Sequence, residues 1–310
     1  MLLRRVVPFA LCALILAPVT AGAQDAAAAQ DNLNLVQSYE DLTPDSTGYA
    51  PVNGLEMYYE VYGEGEPLLL LHGAYGTIGN NFGAFIPALS EIRQVIGVEL
   101  QGHGRTADSD RPLSYKAMAS DVAGLIEELG LEKADIFGYS MGGSVALRVA
   151  IDRPDLVDRL VVAAGGTSTD SMYEEVYDAI QTMTAEDFAG TPMEQDYLRL
   201  APNPEDWPVL VKKLKALDEE VFSWPESEVS SIEAPALVIV GDGDVVRPEH
   251  AVELFRLLGG GVPADLVGPT ASQLAIVPGA THITLMLKSD MLLPMILPFL
   301  EPEKTGQGAE

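Results

Sequence analysis

Short apolar runs separated by helical stretches constrain this chain more than any other feature. Leu68–Leu71, Val95–Leu100, Ile136–Phe137, Leu160–Ala164, Ala236–Val240 and Leu274–Val277 carry almost no polar alternation. Strands buried on both faces of a sheet read this way. Helical stretches lie between them, at about Phe82–Leu89, from Ser114 to Leu129, Ser140–Ile151, Glu249–Leu258 and Leu285–Leu300. In the second, Ser114 is a natural N-cap, and Met118, Val122, Leu125, Ile126 and Leu129 share one face. The alternation predicts an α/β fold: a doubly wound, mostly parallel sheet with helices on both faces. Leu55–Val61 alternates as a further strand, followed by a turn at Gly63–Glu66.

The alternation stops over residues 168–231. That stretch is polar and acidic, is punctuated by Pro192, Pro202, Pro204 and Pro208, and shows no strand. It predicts a helical cap inserted into a core formed by 51–167 and 232–302. Residues 24–50, rich in Ala, Gln, Asp and Ser, read as a flexible leader. Before them, Arg4 and Arg5, the apolar run Val6–Leu16 and the small residues Ala21-Gly22-Ala23 have the layout of a secretory signal peptide over 1–23. The expected location is therefore secreted or periplasmic. The apolar run is short for a membrane span, and no other stretch suits one. Cys12, the only cysteine, lies in this segment. The processed chain would have no disulfide, thiol nucleophile or thiolate metal site.

The 310 residues are 47% hydrophobic, enough for a sizeable core, and carry a formal net charge of -28. Such a surface repels phosphate backbones and disfavours nucleic-acid partners. It favours solubility and, secondarily, steering of cationic substrates.

The sharpest motif is Gly138-Tyr139-Ser140-Met141-Gly142-Gly143, placed between a strand and a helix. It fits G-x-S-x-G, in which a tight strand-to-helix turn lifts a serine hydroxyl above the sheet. The helix that follows turns its first N–H groups toward developing negative charge. Leu71-His72-Gly73-Ala74-Tyr75-Gly76 closes an earlier strand, and a ligand binds at such carboxyl ends. The N–H groups of Ala74 and Met141 are the candidate oxyanion donors. Gly73, Tyr75 and Tyr139 are the candidate substrate contacts, and His72 reads as structural.

A serine hydroxyl needs a base. Of His72, His103, His250 and His282, the last two follow Ser140. His250 opens a helix, where a surface position is expected. His282 follows the last strand, on the rim that holds Ser140, and is the candidate base. The acid belongs after the preceding strand, in Gly241-Asp242-Gly243-Asp244. Asp242 is placed to fix the turn, whereas Asp244 is better placed to reach the next loop.

Together these segments, with Gly102-His103-Gly104-Arg105 and Pro278-Gly279-Ala280-Thr281-His282, resemble the α/β-hydrolase superfamily across about residues 52–300. They are most similar to its esterase-like branch with a helical cap. The resemblance supports Asp244 as the acid. It departs at Glu99-Leu100, where the family usually has an aspartate before the Gln101-Gly102-His103-Gly104 loop. It implies hydrolysis of a small carboxylic ester by Ser140, His282 and Asp244, without metal or organic cofactor. A lactonase, C–C bond hydrolase, aminopeptidase or perhydrolase would use the same residues, as would the vestige of one in a ligand-binding protein. Epoxide hydrolases and dehalogenases of the superfamily resemble one another in having Asp where Ser140 stands. Met172, Tyr173, Tyr177, Ile180 and Met183 are cap candidates for the acyl pocket, and Gly259–Ser272 reads as a surface loop away from the site. Oligomeric state and natural substrate are left open.

Overall fold

The computed structural model describes residues 42–219 and 222–301. The signal-peptide segment therefore lies outside the described residues.

Eight strands form one sheet in the order β1-β2-β4-β3-β5-β6-β7-β8. They are β1 Ser46–Val52, β2 Leu55–Tyr62, β3 Pro67–Leu71, β4 Gln94–Val98, β5 Ala134–Tyr139, β6 Val157–Ala163, β7 Ala236–Gly243 and β8 Gln273–Thr281. Pairing is parallel from β4 through β3 to β8, and only β2 runs against its neighbours. Leu68, Leu69, Leu70 and Leu71 are all fully buried, as a strand covered on both faces requires.

The helices are α1 Ile78–Phe82, α2 Ile86–Leu89, α3 Tyr115–Glu128, α4 Met141–Asp152, α5 Glu174–Thr182, α6 Pro192–Leu200, α7 Trp207–Glu219, α8 Glu226–Val229, α9 Pro248–Leu257, α10 Ala264–Val267, α11 His282–Leu285 and α12 Ser289–Leu300. Ser114 caps α3 by accepting from the Ala117 N–H at 3.1 Å. The stretch read as one helix near Phe82–Leu89 is two short ones, α1 and α2. The last predicted helix is likewise divided between α11 and α12.

Two other expectations are corrected. The leader does not extend to residue 50, because β1 begins at Ser46 and pairs with β2. Its Ser-Thr-Gly-Tyr-Ala-Pro-Val sequence has little apolar alternation, since an edge strand buries little. The hairpin nevertheless has a strong local signal in Asn53-Gly54, both at positive φ (50° and 83°), the geometry of a tight strand connection. His250 is buried rather than at the surface, and its Nε2 accepts from the Thr167 N–H at 3.3 Å. Burial lowers its pKa.

Between β6 and β7, every regular element from Thr169 to Val229 is helical. The two ends of this segment are clamped together: Thr169 N–H donates to Phe222 O at 2.9 Å and Trp224 N–H to Thr167 O at 3.0 Å. The segment rests on the core through Tyr75, whose ring lies 4.6 Å from that of Phe188 and 6.0 Å from that of Trp207. Lys213 adds a contact to Asp108 at 2.7 Å. In the Gly259–Ser272 insert, the short helix α10 leaves Leu266 83% exposed.

Glu99, the departure noted above, is wholly buried behind the Gly102–Arg105 loop. It accepts from the Arg105 backbone N–H at 2.5 Å and pairs with the Arg105 guanidinium at 3.1 Å. Burial outweighs that pairing and pushes its pKa up to about 7 from 4.5. Between those values the unfolded chain has released this proton and the folded chain still holds it. The contribution of Glu99 to stability therefore falls as pH rises from about 4.5 to 7. Denaturant midpoints at pH 5 and pH 8 check this: Glu99→Gln should gain on the wild type by about 1–3 kcal/mol between them.

Candidate active site

The site sits where the sheet changes its direction of winding. β4 lies on one side of β3 and β5 on the other, so the loops after β3 and β5 part above the sheet, and an open α/β sheet binds its ligand in that crevice. Leu71 is paired with Gly138, so Gly73 and Ser140, each two residues on, stand side by side. A Cβ at Gly73 would lie 3.1 Å from that of Ser140.

Ser140 adopts φ 54° and ψ -120°, which L residues rarely take, at the junction of β5 and α4. Its N–H donates to Ala163 O at 2.8 Å. The turn closes only because its flanks are glycine. A Cβ at Gly138 would lie 2.2 Å from Gly142 O, and one at Gly142 would lie 2.0 Å from Leu71 O.

At the far edge of the parallel set, Gly243 pairs with Thr281 after an irregularity in the β7–β8 register. Asp244 and His282 follow directly. His282 Nδ1 is 2.7 Å from Asp244 Oδ1, and His282 Nε2 is 2.8 Å from Ser140 Oγ. Asp244 is buried, and its oxygens accept from the N–H groups of Val246 at 3.0 Å and Gly241 at 3.3 Å. A carboxylate that accepts at both oxygens leaves Nδ1 to carry the ring proton, which turns the Nε2 lone pair toward the serine hydroxyl. Asp242 is exposed.

Tyr139 is buried beneath this pair. Its hydroxyl donates to His282 O at 2.8 Å, and the two rings lie 5.2 Å apart. Tyr139 thus holds the histidine backbone as well as lining the cavity. Burial raises its pKa, keeping the phenol a donor.

Gly76 N–H donates to Gly73 O at 3.0 Å, which closes a turn with Ala74 and Tyr75 at its centre and Tyr75 at φ 58°. Met141 supplies the first N–H of α4, which has no acceptor within its own helix. Ala74 and Met141 both line the cavity with Ser140 and His282. His72 lies behind the loop. Leu100 N–H donates to its Nε2 at 3.0 Å, so its Nδ1–H donates to Gly73 O at 2.8 Å. Burial lowers its pKa to about 3, so it stays neutral as a brace.

The cavity has a volume of about 240 Å³ and mostly apolar walls. Met172, Ile180 and Met183 line it, whereas Tyr173 and Tyr177 do not. Val176, Phe188 and Met193 from the cap, and Ile283, Met286 and Leu287 beyond His282, complete those walls. Tyr115, Ser144 and Asp218 also reach it. Nothing in the local sequence marks these three, because they come together only when the cap closes over α3 and α4. Among the described residues, no group of three or more His, Cys, Asp or Glu side chains is gathered to hold a metal ion. No helix among them is long and apolar enough to cross a membrane.

The described chain has the α/β-hydrolase fold, and residues 66–197 match the family model described as the alpha/beta hydrolase fold. It is 26% identical over 280 residues to an sn-1-specific diacylglycerol lipase of Danio rerio, covering 82% of this chain and 84% of that one. A soluble epoxide hydrolase of Corynebacterium is 40% identical over 116 residues, which is 36% of this chain and 39% of the relative. Among solved structures, the meta-cleavage product hydrolase of Pseudomonas fluorescens superposes with a TM-score of 0.67 at 20% identity, over 83% of this chain and 98% of that one.

The elbow geometry predicts that Gly142→Ala loses more than about 4 kcal/mol or fails to accumulate as folded protein, because the added methyl meets backbone. Urea denaturation of the purified variant against the wild type measures this.

Proposed function

We propose that this protein is a serine hydrolase of small carboxylic esters, working through an acyl-enzyme. The observation that carries the reading is the continuous chain of contacts from Asp244 through His282 to Ser140 on the floor of an apolar cavity. His282 Nε2 takes the proton of Ser140 as Oγ attacks the ester carbonyl carbon. Asp244 holds the ring in the required tautomer and stabilises the imidazolium that forms. The N–H groups of Ala74 and Met141 receive the charge developing on the carbonyl oxygen. His282 returns the proton to the departing alcohol, leaving the acyl group on Ser140. A water deprotonated by the same imidazole then attacks the acyl carbon, and the acid leaves as Ser140 regains its proton. Gly73 does not line the cavity; its missing side chain lets the loop after β3 pack against Ser140 and the Tyr139 ring, and the apolar walls suit the hydrocarbon portion of the acyl group. The lipase named among the relatives supports an ester over other acyl substrates.

The N-terminal segment is proposed to direct export. The N-terminal mass of the exported protein checks this, and an intact Met1 would overturn it.

The chemistry is tested by hydrolysis of p-nitrophenyl esters from acetate to long acyl chains. Turnover by the wild type should vanish in Ser140→Ala. Asp244→Asn should lose about 10⁴-fold in kcat while keeping its fold, since the amide selects the wrong tautomer. A folded wild type inert toward every chain length would remove the esterase reading.

A further inference from the structure

We propose that Tyr115, Ser144 and Asp218 form a polar subsite that recognises a hydrogen-bond-donating group, a hydroxyl or an ammonium, on the substrate. The inference rests on the serine-hydrolase reading of the same cavity.

Ser144 fixes the distance. It lies one turn along α4 from Ser140, with its N–H donating to Ser140 O at 3.1 Å. Four residues of helix rise roughly 6 Å. The subsite thus stands several bonds from the attacked carbonyl, on the same cavity wall. Ser144 Oγ accepts from Gly166 N–H at 3.0 Å and is hydrogen-bonded to the Tyr115 phenol, which orients both hydroxyls. Tyr115 is held by ring contacts with Phe222 at 4.8 Å and Trp224 at 6.0 Å. Its phenol lies within the influence of both Ser144 and Asp218, and burial with the Asp218 charge keeps it protonated.

Asp218 is the decisive member. It lines the cavity from the end of α7, and among the described residues no hydrogen bond or ion pair reaches it. Burial alone pushes its pKa up to about 7. An unpaired carboxyl among apolar side chains costs stability that a leucine would not. A ligand group that donates to it removes that cost, and the two neighbouring hydroxyls complete the coordination. A methyl group in the same place would leave the Asp218 carboxyl unsatisfied.

The test compares p-nitrophenyl ω-hydroxyhexanoate and ω-aminohexanoate with heptanoate, an ester of the same length that ends in methyl. The wild type should favour at least one polar-ended ester by about 10- to 100-fold in kcat/KM. Asp218→Leu should bring that ratio to one or below. Asp218→Asn separates the two chemistries: it should lose preference for the ammonium and retain preference for the hydroxyl. A wild type that handles the three alike, or favours heptanoate, overturns the subsite and leaves the hydrolase reading intact. The matching p-nitrophenyl phosphonates report independently of turnover. Labelling of Ser140 at a rate indifferent to the chain end again overturns the subsite alone, and no labelling with any of them removes both readings.

Discussion

The near-contact of two backbones at Gly142 and Leu71 is the constraint on which the site depends. No side chain fits there, since a Cβ at Gly142 would sit 2.0 Å from a carbonyl oxygen. This approach lets α4 begin immediately beyond β5 and over the end of β3. Ser140 can then occupy a backbone conformation that would be costly elsewhere, with its N–H satisfied by Ala163. The strain is local, and the buried packing of α4 against the sheet outweighs it. Almost every residue from Met141 to Ala150 is buried.

From that fixed point, strand register positions the remaining groups. The pairing of β3 with β5 sets Gly73 beside Ser140, and the pairing of β7 with β8 sets Asp244 beside His282. The second alignment is less regular than the first. One residue of β7, Asp242 between Gly241 and Gly243, opposes three of β8 between Val277 and Thr281, and Gly279 takes φ 62° in that stretch. The extra length bends β8 at its end. The hydroxyl of Tyr139, on β5, spans from the first pair of strands to the His282 backbone and ties the two alignments together.

Burial then sorts the ionisable groups. His72 and His103 sit in the interior, their rings 4.8 Å apart, and desolvation keeps both neutral, with His103 lowered to about 4. They brace loops and are unsuited to moving protons at neutral pH. His282 remains partly exposed at the cavity floor, where a substrate proton can reach it. Most acidic side chains among the described residues lie at the surface, and the cavity itself is apolar apart from a few polar positions.

The apolar runs and the G-x-S-x-G spacing fixed the parallel core and the place of Ser140, because both report short-range rules: strand burial and a turn that only glycine permits. Chain order and loop position were enough to bring forward His282 and Asp244. Other features depended on distant neighbours. β1 was not legible from its own residues, since its pairing comes from β2 and the Asn53-Gly54 turn. His250 looked like a surface residue until the chain around Thr167 covered it. The cap was legible as helical, but not which of its faces turns inward: Ile180 lines the cavity and Tyr177 does not. Tyr115, Ser144 and Asp218 are separated by tens of residues and share no motif. Their meeting is decided by how α3, α4 and α7 pack, a long-range balance of burial that no local pattern encodes.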